Sequence, residues 1–164
     1  MGLTLVPVDD GRGGDGVQVS LREVAFTCGR CGAVYRDGLL VGGFGRLVVR
    51  DADGRSPAYA DLLDDPLIDL LASVAAERSA LFARVATEPA DVTGAYLRLC
   101  DPSPSGAPWD RDALPCCPDC AAAPSAQERL DGLLRVRLPR LRHEALDALP
   151  REEQRARAAA ALRG

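Results

Sequence analysis

Between positions 17 and 26 apolar residues nearly alternate with polar ones. Val17, Val19 and Leu21 follow one phase, and after an interruption at Arg22-Glu23 the pattern resumes at Val24 and Phe26. Alternation of this kind buries one face of an extended strand. The same reading predicts strands at 3–8 and 47–49, and a pair at 33–35 and 39–41 divided by Asp37-Gly38, a dipeptide suited to a hairpin turn. The polar, glycine-rich run at 9–16 reads as a turn. At Asp64-Asp65-Pro66 the period changes. An acidic cap and a first-turn proline precede Leu67, Leu70, Leu71, Val74, Leu81, Phe82 and Val85 at helical spacing, which predicts a helix over 66–87 stopped by Pro89. Beyond it, 92–99 reads as a further strand, 102–108 as a loop rich in proline and serine, and 121–127 as a connector. Residues 133–138 alternate apolar residues with Arg135 and Arg137, and the chain from 144 onward is helical with a break at Pro150.

These elements predict an α+β fold in one domain spanning 1–164. A β-rich base (1–50) is followed by a helical insertion (51–108), a short segment ending in a strand (109–138) and a C-terminal helix (139–164). Aromatic residues make up only 4% of the 164 residues, so the core rests on Leu, Val and Ala, which bury less area per residue. A fold of this kind gains from a metal staple. All 20 basic residues are arginine, lysine and asparagine are absent, and Ile68 is the single isoleucine. That usage fits a GC-rich bacterial coding sequence. The first residues lack a basic segment followed by a long apolar one, and no apolar run approaches the ~18 residues of a membrane span. The expected location is therefore a reducing cytoplasm, where six cysteines point to metal or redox chemistry before disulfides.

Four of the six form two Cys-x-x-Cys pairs, Cys28/Cys31 and Cys117/Cys120. A two-residue gap lets both sulfurs of one turn reach a common ion, and the two pairs together supply the four thiolates of a tetrahedral site. Cys116 competes with Cys117 as a ligand, with Cys117 favoured because Pro118 then falls inside the turn. Cys100 reads as a buried bystander at a strand end. The segment Cys28-Gly29-Arg30-Cys31-Gly32-Ala33-Val34-Tyr35 resembles a zinc-ribbon or rubredoxin-type knuckle, and Cys117-Pro118-Asp119-Cys120 is similar to its partner, with Ala121 where that family often has glycine. The resemblance implies four thiolates on one structural Zn2+, backbone amides donating to the sulfurs, and a structural or binding role. Iron is the rival metal for the same ligands and zinc the preferred one. Thiol redox chemistry wants its first cysteine at a helix N-terminus, whereas β-like residues follow Cys28-Gly29-Arg30-Cys31.

No catalytic constellation emerges. Asp51-Ala52-Asp53-Gly54 has its glycine too early for a calcium loop and reads as a turn. His143, the only histidine, reads as a cap or surface residue. Residues 1–120 carry 11 Arg against 18 acids and residues 121–164 carry 9 Arg against 6, so an acidic body bears a mildly basic tail. Arg135 and Arg137 share one side of the predicted strand. The expected function is non-catalytic binding to another protein, with nucleic acid as the alternative partner, thiol redox or iron electron transfer as a third class, and no membrane.

Overall fold

A computed structural model describes residues 16–40, 45–81 and 91–164, so the expected strand at 3–8, the expected turn at 9–16 up to residue 15, the last residue of the expected strand at 39–41 and the end of the helix at 82–87 lie outside the described residues. The fold is α+β. Its elements are β1 (Gly16–Cys28), β2 (Val34–Leu40), β3 (Arg46–Asp51), β4 (Pro57–Asp61), α1 (Pro66–Leu81), α2 (Val92–Leu99), β5 (Trp109–Asp110), β6 (Pro124–Pro139), α3 (Glu144–Asp147) and α4 (Arg151–Ala161). Two antiparallel sheets form, ordered β2-β1-β6 and β4-β3-β5. They meet where a bridge joins Tyr59 to Arg140 and the Leu141 amide donates to the Tyr59 carbonyl at 2.8 Å.

The larger core packs the helices on the second sheet. Val49, Ala58 and Ala60 meet Leu67, Leu71 and Val74 of α1, Ala95 to Leu97 of α2, and Ala158 with Leu162 at the end of α4. A smaller core joins Val19 and Leu21 of β1 to Tyr59 and Leu138. The phase change read at Arg22-Glu23 is a structural event. β1 pairs continuously with β2, but its pairing with β6 is interrupted by a bulge between Arg22 and Val24. Before the bulge the odd positions Val19 and Leu21 are buried, and after it the even positions Val24, Phe26 and Cys28. One strand thus serves two interiors on opposite faces.

Three expectations are corrected. Asp37-Gly38 makes no turn, because β2 is continuous and pairs with β1 from Leu21 to Thr27. Asp37 instead accepts a hydrogen bond at 2.7 Å from the buried guanidinium of Arg50 on β3, and a Cβ on Gly38 would lie 2.5 Å from the Leu21 side chain. The dipeptide serves packing, and the hairpin between β1 and β2 closes at the first cysteine pair. Residues 92–99 form a helix, not a strand. The Asp91 carboxylate caps it by accepting from the Gly94 amide at 2.9 Å, and that capping signal outweighs the β-branched Val92 and Thr93. The connector at 121–127 ends early, since β6 begins at Pro124 and runs 16 residues. The short β4, Pro57–Asp61, and the two-residue β5 were not foreseen, as neither has aliphatic alternation.

The remaining expectations were closer. β3 covers 47–49, β6 alternates as read across 133–138, and helices flank Pro150. α1 begins at Pro66 with the Leu67 amide donating to the Asp65 carboxylate at 2.9 Å. Asp51 closes the turn at 51–54 by accepting from the Arg55 and Ser56 amides at 2.8 and 3.1 Å.

Candidate metal centre

Each cysteine pair sits in a tight turn, and the two turns use the same bonds. In the first, the Cys28 amide donates to the Ala33 carbonyl at 2.8 Å and the Gly32 amide to the Cys28 carbonyl at 3.2 Å. In the second, the Cys117 amide donates to the Ala122 carbonyl at 2.9 Å and the Ala121 amide to the Cys117 carbonyl at 2.8 Å. The residue after the second cysteine takes a left-handed backbone in both turns, with φ of 71° at Gly32 and 57° at Ala121. Ala121 is the only non-glycine residue with positive φ among the described residues. The glycine that the resemblance led one to expect is thus missing where the backbone calls for it.

The sheet brings the turns together. β1 ends at Cys28, β6 begins four residues after Cys120, and Cys28 pairs with Pro124. The Gly29 amide donates to the Ala123 carbonyl at 3.1 Å, which ties one turn to the other. Upstream of Cys117 the chain is held by the Tyr35 hydroxyl, which donates to the Pro115 carbonyl at 2.7 Å, and by the Cys116 amide, which donates to the Gly54 carbonyl at 3.1 Å. Tyr35 also stacks on Phe26, with ring centroids 5.7 Å apart. The second turn is therefore anchored to both sheets.

The result is a cluster of four sulfurs from Cys28, Cys31, Cys117 and Cys120, all within 4.8 Å of one another. Cys28 and Cys120 Sγ are 3.4 Å apart, and Cys31 Sγ lies 3.7 Å from both Cys117 and Cys120 Sγ. A tetrahedral ion with sulfur ligands at about 2.3 Å sets them about 3.8 Å apart, so the arrangement fits a four-coordinate metal ion. Cys117 is in the cluster and Cys116 outside it. Cys28 and Cys117 are buried, while Cys31 is exposed and Cys120 half-buried.

The Cys28 sulfur faces the amides of Arg30 and Cys31 at 3.3 and 3.5 Å. These amides, that of Cys31 foremost, hold its thiol well below the ordinary value, at about 6. For Cys31 the amide of Ala33 acts in the opposite direction to its hydrogen bond with Cys28, and the contact with Cys28, burial and the other thiols push it up to about 12. Four sulfurs at this spacing share protons, and a metal ion replaces them. Such a site is a place for an ion held by thiolates alone.

The other singled-out residues lie elsewhere. Cys100 caps the C-terminus of α2, not a strand, and packs against the larger core, where burial pushes its thiol up to about 12. His143 precedes α3 without capping it by its side chain. Its Nε2 is 2.9 Å from an Asp65 carboxylate oxygen and its Nδ1 2.9 Å from an Asp147 oxygen, the latter an ion-pair contact poorly aligned for a hydrogen bond. The side chain is 14% exposed, so the surface reading is corrected to a half-buried clamp between α1 and α3. Asp65 also accepts from the Tyr96 hydroxyl at 2.7 Å. Sequence reasoning missed this cluster because its partners come from three separate elements. No helix among the described residues is long and apolar enough to cross a membrane. No protein-family model, curated protein or solved structure matches the chain.

Proposed function

We propose that the protein is a non-catalytic binding protein whose two cysteine turns hold one structural Zn2+, and that its partner is another protein. The observation that carries this reading is the four-sulfur cluster with its matched turns. Four thiolates complete the coordination of zinc and leave no open position for a substrate, which is the pattern of structural sites. Zinc is preferred over iron because the chain offers few aromatic side chains to shield a redox centre. The bound ion would supply a fixed electrostatic node. The chain's own contribution is orientation: the Arg30 and Cys31 amides support the Cys28 sulfur, and the Gly29 to Ala123 bond keeps the turns in register. A small core of aliphatic residues then presents a surface rigid enough to bind without a large ordering cost.

Elemental analysis of the untagged protein, set beside a Cys28→Ser/Cys117→Ser variant, tests the metal. One equivalent of zinc, lost together with cooperative unfolding in the variant, supports the reading. Stoichiometric iron with a reversible one-electron wave replaces it with electron transfer. A metal-free protein that cycles between dithiol and disulfide replaces it with thiol chemistry.

A further inference from the structure

We propose that the exposed face of the β1–β6 ladder, together with the outer edge of β6, docks an extended acidic segment of a partner polypeptide. The inference rests on the protein-binding reading above and names the surface and the chemistry of the partner. The register sets Gln18 opposite Arg137, Ser20 opposite Arg135, and Arg22 opposite Leu133. All six are exposed, whereas Val19, Leu21 and Leu138 on the other face are buried. Every charged side chain in these three rungs is an arginine. The acids of β6, Glu128 and Asp131, lie at or beyond the bulge, and Glu23 is engaged by Arg36 at 3.0 Å. Leu133 is 68% exposed beside the arginines. The Arg137 stem runs over Gly16, where a Cβ would meet it at 2.7 Å, and this residue already has an interaction of its own, so Arg22 and Arg135 carry the charge of the surface.

The second observation is the edge. β6 is the last strand of its sheet among the described residues, and the backbone bonds that join its sheet to the other lie just beyond its end, at Arg140 and Leu141. Its stretch 133–137 is regular, since the bulge lies on the far side of Leu133. An edge of this kind offers backbone groups to an added strand. Alternate residues of a strand stand about 6.7 Å apart, so a strand paired here with acidic residues at every second position sets one of them against Arg135, with Arg22 one strand further in. An apolar side chain at the next position covers Leu133.

The observations favour a polypeptide over nucleic acid. The three rungs hold no aromatic side chain on which a base would stack, and the β6 edge alternates amide and carbonyl groups in the pattern that another strand's backbone completes. Two-fold pairing of β6 about Val136 would set Arg135 against Arg137, which disfavours a second copy in that register.

The test uses the zinc-loaded full chain and a fluorescent peptide of alternating Glu and Val, measured by anisotropy at physiological salt. Three other probes accompany it: the same peptide with alternate amides N-methylated, a scrambled peptide of equal composition, and a single-stranded oligonucleotide. The expected result is that only the unmodified alternating peptide binds, and that Arg22→Glu/Arg135→Glu weakens it at least about tenfold while zinc content and circular dichroism stay unchanged. Equal binding of the N-methylated or scrambled peptide, preference for the oligonucleotide, no binding at all, or concentration-dependent dimerisation lost in the variant each overturn the proposal. A pull-down separates its failure from that of the broader reading. Partners retained equally by the wild type and the double variant refute this surface alone, and a wild type that captures none refutes the protein-binding reading beneath it.

Discussion

Ala121 is held in a conformation that its side chain opposes. At φ 57° its Cβ crowds the following carbonyl, a penalty of about 1–2 kcal/mol for an L-residue. Glycine removes that penalty but gives the unfolded chain more freedom, which returns about 0.5–1 kcal/mol. Ala121→Gly is therefore expected to stabilise the protein by roughly 0.5–1 kcal/mol. The first turn supplies the reverse test. Gly32 has φ 71° and open space where a Cβ would stand, with nothing within 4 Å, so Gly32→Ala meets backbone strain without a clash and should lose about 1 kcal/mol. Urea unfolding with the metal ion saturating reads both differences, and a change in midpoint at constant slope identifies them as stability effects. The double variant should fall near wild type, because the turns make matching bonds. If Ala121→Gly is neutral or destabilising while Gly32→Ala is tolerated, the equivalence of the turns is refuted.

Three further outcomes are expected. His143 is raised to about 9, first by its hydrogen bond to Asp65, with burial opposing and Asp147 assisting. A raised histidine contributes fully below its unfolded value of 6.5 and loses that contribution as pH climbs toward 9. Unfolding free energy should drop by about 1–2 kcal/mol over that window and flatten in His143→Gln, with a parallel drop in the variant refuting the clamp. Asp37→Ala leaves the Arg50 guanidinium buried without its carboxylate and should cost about 3–5 kcal/mol by denaturation, whereas Asp37→Leu/Arg50→Met should recover most of it. At Gly54 a Cβ would lie 2.3 Å from the Leu114 carbonyl oxygen with φ at 71°, so Gly54→Ala should cost about 3 kcal/mol or more and weaken metal retention against a chelator through the Cys116 amide bond.

The cysteine turns were legible because their chemistry is local: two sulfurs and a left-handed residue fit in five positions. β1 was legible too, since burial on alternate faces leaves its mark in the sequence, including the phase change at Arg22-Glu23. Asp37-Gly38 misled for the opposite reason. Its local preference for a turn yields to a partner, Arg50, thirteen positions away, and to the space beside Leu21. Residues 92–99 misled because their apolar spacing suits a strand as well as a short helix, and the cap at Asp91 decides between them. Ala95, Tyr96 and Leu97 are buried in succession, as no one-sided strand allows. The His143 clamp has no sequence signature, as it depends on how α1, α2 and α3 pack.

The face change in β1 makes the length of this strand as constrained as its composition. Its thirteen residues extend about 43 Å, with one interior filled from odd positions and the other from even ones. Deleting Arg22, with the Cys28 end fixed, would rotate Val19 and Leu21 into solvent and Gln18 and Ser20 inward. Deleting Glu23 with the Gly16 end fixed would instead turn Val24 and Phe26 out and draw the sulfur of Cys28 away from the other three. Substitutions along β1 alter one interior at a time, but a change in residue count puts one of the two out of frame, and the bulge opposite Glu23 is the place where an added pair of residues keeps both in phase.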